Sequence, residues 1–216
     1  MLVPYKIELP GGVLVRSTAT ADAEQLEQLQ NIVFPTLSPA QRFRAEHYQR
    51  HLEVFPEGQF VADAAGRIVG MTSTVRLDFD FENLHHTFDD IIEGGFLTSH
   101  QPGGMWLYGA DIGTHPEFRG RGIARALYAA RQQRVRQLGL SGQVTVGMMN
   151  GYGAVAGRQS AEDYYEALIR GDINDPTISA QRHIGFELRG LLRDYLDDPG
   201  CGNCGVLMTL PADNEI

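Results

Sequence analysis

The sequence predicts a mixed α/β fold organised as a single domain of 216 residues. Runs rich in β-branched residues alternate with runs whose apolar residues recur at helical spacing, and turns bearing glycine or proline separate the two kinds. One strand also passes through a tight glycine turn into an amphipathic helix and on to another strand, the pattern of a β-α-β unit with parallel strands.

Val13-Leu-Val-Arg16 is a short β-prone run, followed by Asp22 to Phe34, where Leu26, Leu29 and Val33 share one helical face. Asp22 with Gln25 three residues later resembles a capping box, and Ser38-Pro39 predicts a second helix from Pro39 to Leu52. Gln59 to Asp63 and Ile68 to Arg76, joined across Ala65-Gly66-Arg67, read as a β-hairpin. Residues 78–104 lack periodicity and are expected to be an elaborated loop. Trp106 to Thr114 is the strand of the glycine-turn unit, Ile123, Leu127, Ala130 and Leu138 mark its helix, and Gln143 to Met149 is the strand that follows. An inserted helical segment over 151–184 holds a helix opened by Ser160 and closed by Gly171, then a shorter one capped at Asp175-Pro176 and ended by Gly185. Phe186 to Leu192 and Gly205 to Leu210 are the last strands.

A formal net charge of -9 argues against nucleic acid or anionic membrane as partner, because both need clustered cations. No apolar run approaches the ~18 residues of a membrane span, and the opening MLVPYKIELPGG lacks the pattern of a leader, so a soluble cytoplasmic protein is expected. The cysteines, Cys201 and Cys204, form a lone CxxC in a glycine-rich turn, without the second pair that zinc requires. His85 and His86 point apart on an extended chain with no third ligand in view, so no metal is expected.

The chemistry concentrates at Arg119-Gly120-Arg121-Gly122-Ile123-Ala124, between strand and helix. Glycines there permit a sharp bend, and successive N–H groups at the helix's positive end can cradle a pyrophosphate. No Gly-Lys-Ser/Thr follows and the GxGxxG spacing is absent, which sets aside nucleoside triphosphates and dinucleotides. The segment, with His115-Pro-Glu-Phe118 upstream, resembles the Arg/Gln-x-x-Gly-x-Gly/Ala signature of the GNAT (N-acetyltransferase) superfamily at Arg119, Gly122 and Ala124. Leu107 to Asp111, Leu127 to Arg131, Ser160 to Tyr164, Asp175 to Ile178 and Gly185-Phe186 resemble the GNAT module that bacteria often fuse to a carbon-nitrogen hydrolase; 216 residues accommodate only the module.

The resemblance implies a mostly antiparallel mixed sheet with a central splayed parallel pair, flanked by helices, and acetyl-CoA as cosubstrate. The pantetheine arm would pair with Ile112, Gly113 and Thr114, and Arg119 to Ala124 would hold the pyrophosphate, with Asn150 contacting cofactor or substrate or else capping a turn. An amine would attack the thioester directly, which requires a base and stabilisation of the departing thiolate. Asp111 is the nearest carboxylate, with Glu117 and Glu93 as others, and a structural role for Asp111 is equally open. Many GNAT enzymes carry a tyrosine acid four residues before the late Gly-Phe, where this chain has Gln181; either Tyr164, Tyr165 or Tyr152 replaces it, or the thiolate leaves without a dedicated acid. An acidic loop containing Asp78, Asp80, Glu82, Asp89, Asp90 and Glu93 suits a cationic amine, although such a run also suits a solvated face. A non-catalytic acyl-CoA-binding module stands as the alternative function. A homodimer, common in the superfamily, would use the edge of the strand Gly205 to Leu210.

Overall fold

Alternate residues of a strand face opposite sides of its sheet, and a strand with one covered face alternates buried and exposed positions. In the computed structural model, which describes residues 3–216, Val13–Ser17 shows this alternation at the start of an eight-stranded sheet. The strands are β1 (Lys6–Leu9), β2 (Val13–Ser17), β3 (Phe60–Ala64), β4 (Arg67–Leu77), β5 (Trp106–Thr114), β6 (Gly142–Met148), β7 (Glu187–Leu192) and β8 (Gly205–Pro211). Their order is β1-β2-β3-β4-β5-β6-β8-β7, and among the described residues only β5 and β6 pair in parallel.

Helices α1 (Ala23–Val33), α2 (Ala45–Val54) and the single turn α3 (Phe88–Ile92) cover one face, where Leu26, Leu29 and Tyr48 share a core with Val61, Met71 and Val75. On the other face α4 (Ile123–Leu138) sets Ile123, Leu127 and Ala130 against Val15, Phe60 and Val69. Helices α5 (Ala161–Arg170) and α6 (Ile178–Ile184) close the C-terminal end, packing Leu168 and Ile178 with Val206 and Met208.

Several expectations are corrected. β1 was not foreseen; it pairs with β2 across Gly11-Gly12, both in the left-handed region. α2 begins at Ala45, six residues after Pro39, because Gln41 is buried and accepts the Asp197 N–H while Arg42 donates to the Leu37 carbonyl. Asp22 and Gln25 form no capping box: Asp22 takes the Arg16 guanidinium and the Ala19 N–H, and Gln25 bridges to Gly66 and Ile68. The loop at 78–104 contains α3, capped by Thr87 and Asp90. β8 lies between β6 and β7, so both its edges are already paired and the expected dimer contact through it is closed.

Candidate active site

β5 and β6 pair only from Trp106 to Gly109 and from Gly142 to Thr145. Beyond that point β5 continues to Thr114 against β4 and β6 continues to Met148 against β8, so the two strands separate and leave a V-shaped opening. The His115 N–H donates to the Val69 carbonyl, so by strand alternation Ile112 and Thr114 turn their backbone groups toward the opening. The buried Thr114 hydroxyl has no hydrogen-bond partner among the described residues.

The mouth of the opening is the turn into α4. Gly120 and Gly122 have φ of 75° and 77°, which glycine adopts without strain, and a Cβ at either would meet open space. Gly122 is the helix N-cap and supplies no side-chain cap, so the first-turn N–H groups of Ile123, Ala124 and Arg125 keep the positive end of a 16-residue helix unquenched. Arg119 and Arg121 are exposed beside it; Arg121 donates to the Glu117 carbonyl and lies 4.7 Å from the Phe118 ring centroid. The predicted cradle from Arg119 to Ala124 is therefore one open, cationic, donor-lined surface, which suits a pyrophosphate. His115 builds its turn by accepting the Glu117 N–H and meeting Arg67.

At the apex, the β4–β5 register slips between Ser73 and Thr74, which pair with Asp111 and Gly109, leaving Ala110 as the extra residue of a bulge. The slip puts Asp111 on the same face as Tyr108, over α1 and α2. The Asp111 carboxylate accepts the Ser73 N–H and the Tyr48 hydroxyl, the latter at 3.4 Å. Burial raises its pKa, against the lowering effects of Ser73 and of the Arg131 charge. Below the bulge, on the α4 side, the Arg131 guanidinium donates to the Thr72 hydroxyl and the Asp111 carbonyl.

The other sequence-predicted residues lie elsewhere. Tyr164 donates its hydroxyl to Asp175 at 3.0 Å, and the same carboxylate accepts the N–H groups of Gly151, Thr177 and Ile178. That arrangement holds the junction between β6 and α6 together and leaves the Tyr164 proton engaged. Tyr165 is half-buried beside it. Asn150 donates to the Thr177 hydroxyl at 2.6 Å, which ties the end of β6 to the start of α6. Among the acidic loop residues, Asp78 accepts the Met105 N–H, Asp90 caps α3 and Glu93 holds Thr98. His86 bonds Tyr108, and no cluster of three or more metal-ligating side chains occurs among the described residues. Cys201 and Cys204 are free and buried, and burial pushes the Cys201 thiol up to about 12.

A family model described as "Acetyltransferase (GNAT) family" matches residues 23–156. The chain belongs to the GNAT acetyltransferase family. Among curated proteins it is 36% identical over 186 residues to the probable hydrolase YhcX of Bacillus subtilis, covering 86% of this chain and 36% of that protein. It thus spans about a third of YhcX. It is also 30% identical over 195 residues to the uncharacterized N-acetyltransferase YkwB of the same organism, covering 90% of this chain and 86% of YkwB. GNAT structures of similar fold include the loading GNATL domain of CurA from Lyngbya majuscula, at 22% identity, TM-score 0.77 and 94% and 99% coverage. The GphF GNAT-like decarboxylase in complex with isobutyryl-CoA follows at 21% identity, TM-score 0.70 and 92% and 98% coverage.

Within this GNAT site, the sequence reading missed Tyr48, Ser73 and Arg131. Arg131 was legible as a charge one turn after Leu127 on the apolar face of α4. Tyr48 was not, since only the folded sheet brings it to Asp111.

Proposed function

We propose that this GNAT protein binds acetyl-CoA and transfers its acetyl group directly to an amine, without a covalent enzyme intermediate. The observation that carries the reading is the separation of β5 from β6 with the uncapped N-terminus of α4 at its mouth. The pyrophosphate would rest on the N–H groups from Gly120 to Ala124, flanked by Arg119 and Arg121, and the pantetheine amides would bond Ile112 to Thr114 as an added strand. Bound there, the cosubstrate supplies the activated acyl group.

Asp111 is the base in this proposal. Its carboxylate sits at the bulge where β5 leaves β6, and burial raises its pKa toward the range in which it can accept a proton from an ammonium-forming nitrogen. Ser73 and Tyr48 orient it. Glu117 is exposed on the turn and Glu93 is engaged with Thr98, which places neither at the bulge.

The test is thermal melting with and without saturating acetyl-CoA, followed by assay of free-thiol release against a panel of amines, cationic ones included. A stabilised protein that releases thiol with an amine supports the transferase; stabilisation without turnover would assign the non-catalytic acyl-CoA-binding module instead. Absence of any shift with acetyl-CoA, CoA or longer acyl forms overturns the reading.

A further inference from the structure

Arg131 of α4 is 1% exposed and reaches under Gly109, the last residue of β5 paired to β6. Its guanidinium donates to the Thr72 hydroxyl oxygen and to the Asp111 carbonyl, and the Thr72 hydroxyl in turn donates to that same carbonyl at 2.7 Å. Both acceptors are neutral. Among the described residues the guanidinium joins no ion pair and its Nε has no hydrogen-bond partner. The titratable groups acting on it are Tyr128, whose ring centroid lies 5.2 Å away, and Asp111.

Asp111 is therefore held from both faces of the sheet. On the α2 side its carboxylate accepts the Ser73 N–H and the Tyr48 hydroxyl, while on the α4 side its carbonyl is taken by Thr72 and Arg131. Carbonyl and carboxylate hang from one Cα, so fixing the first limits where the second points. A guanidinium stays protonated even when buried, and a buried cation without a contact counter-ion is costly. Here the carboxylate acting on it is the one across the bulge.

Resting on the reading of Asp111 as the base, we propose that Arg131 is its positioning residue: it pins the Asp111 carbonyl beneath the bulge and serves, through the sheet, as counter-ion to the carboxylate. Burial raises the Asp111 pKa, and Ser73, Arg131 and Tyr48 oppose the rise. Of these Arg131 alone carries a charge. From α1 and α2 the facing groups are Tyr48, the Glu27 carboxylate that acts on Tyr48, and His51, whose ring centroid is 5.4 Å from that of Tyr48. From β4 comes the Ser73 N–H, and from α4 comes Arg131. Without the guanidinium charge the carboxyl group stands desolvated with neutral partners, which favours the protonated acid. Because the base works deprotonated, a neutral residue at 131 moves the rising limb of kcat/KM to higher pH.

The experiment is titration of the Asp111 carboxyl group in the full chain by NMR of isotope-labelled aspartate, its signal assigned by absence in Asp111→Asn, alongside kcat/KM for thiol release over the same pH range. Arg131→Met is expected to raise the Asp111 midpoint by about one pH unit or more, and Arg131→Lys, which keeps the charge, by less. The rising limb of kcat/KM moves with the midpoint. An unchanged midpoint in Arg131→Met overturns the assignment and leaves Arg131 a packing residue, whatever its turnover. Should that variant fail to fold, Arg131→Gln, which removes the charge and keeps a donor for the carbonyl, is read in the same way. A midpoint that rises while the kcat/KM limb stays in place overturns Asp111 as the base, and the positioning role of Arg131 with it. Wild type that titrates as stated yet releases no thiol overturns the transferase reading, which the titration itself does not need.

Discussion

Asp111 and Ser73 stand opposite each other at the last pair before the β4–β5 register slips, and the Asp111 carboxylate accepts the Ser73 backbone N–H across that pair. The bulge turns an otherwise ordinary strand residue toward α1 and α2, where Tyr48 reaches it. Asp111→Asn keeps the shape and removes the proton acceptor. Turnover is expected to fall about 10²- to 10⁴-fold with acetyl-CoA affinity unchanged. In wild type kcat/KM should rise with pH through a value above the ordinary carboxylate range, because the active form is the deprotonated one and burial raises its pKa. A variant within threefold of wild type would remove Asp111 from the chemistry.

The cradle makes a separate prediction, read in melting temperature. At one hundred times Kd a ligand stabilises by about 2.7 kcal/mol, which for a chain of this size raises the midpoint by roughly 5–10 °C. Arg121→Glu with Gly122→Asp places two carboxylates at the end of α4 that has free N–H groups, and Gly122 has φ of 77°. The double variant should lose the shift.

Gly109 and Arg131 are coupled sterically, since a Cβ at Gly109 would collide with the guanidinium beneath it. Gly109→Ala should destabilise by about 1–3 kcal/mol in urea unfolding. In an Arg131→Met background the same substitution should cost less, because the flexible thioether can yield. Strict additivity in the double-mutant cycle would contradict this packing.

His51 predicts how stability depends on pH. It is 1% exposed, burial lowers its pKa to about 4, and its Nε2–H donates to the Gly95 carbonyl at 2.7 Å. A depressed folded-state pKa means that the unfolded chain takes up the proton first as pH falls. The stabilisation is therefore complete above the unfolded value of about 6.5 and is lost between there and 4, amounting to roughly 3 kcal/mol. Burial lowers His47, His86 and His100 in the same direction. Midpoints at pH 7 and pH 5 should differ accordingly, and His51→Leu should reduce that difference while lowering stability at pH 7.

The α/β class, the hairpin of β3 and β4, the parallel β5 and β6 and the glycine turn into α4 were legible in the sequence because each rests on local chemistry: period-2 and period-3.6 patterns, turn glycines and a helix start. From Arg119 to Ala124 the residues of that turn are contiguous, so their spacing alone describes the surface they make. Helix α2 was displaced from its predicted start because the partner of Gln41 is Asp197, far along the chain. Tyr164, which the sequence offered as a replacement acid, is engaged by Asp175. Tertiary structure alone decided these, along with the bulge that turns Asp111 and the guanidinium beneath it. Hydrogen-bond satisfaction and desolvation are set by neighbours from other elements, and no local pattern in a single chain records which neighbours those will be.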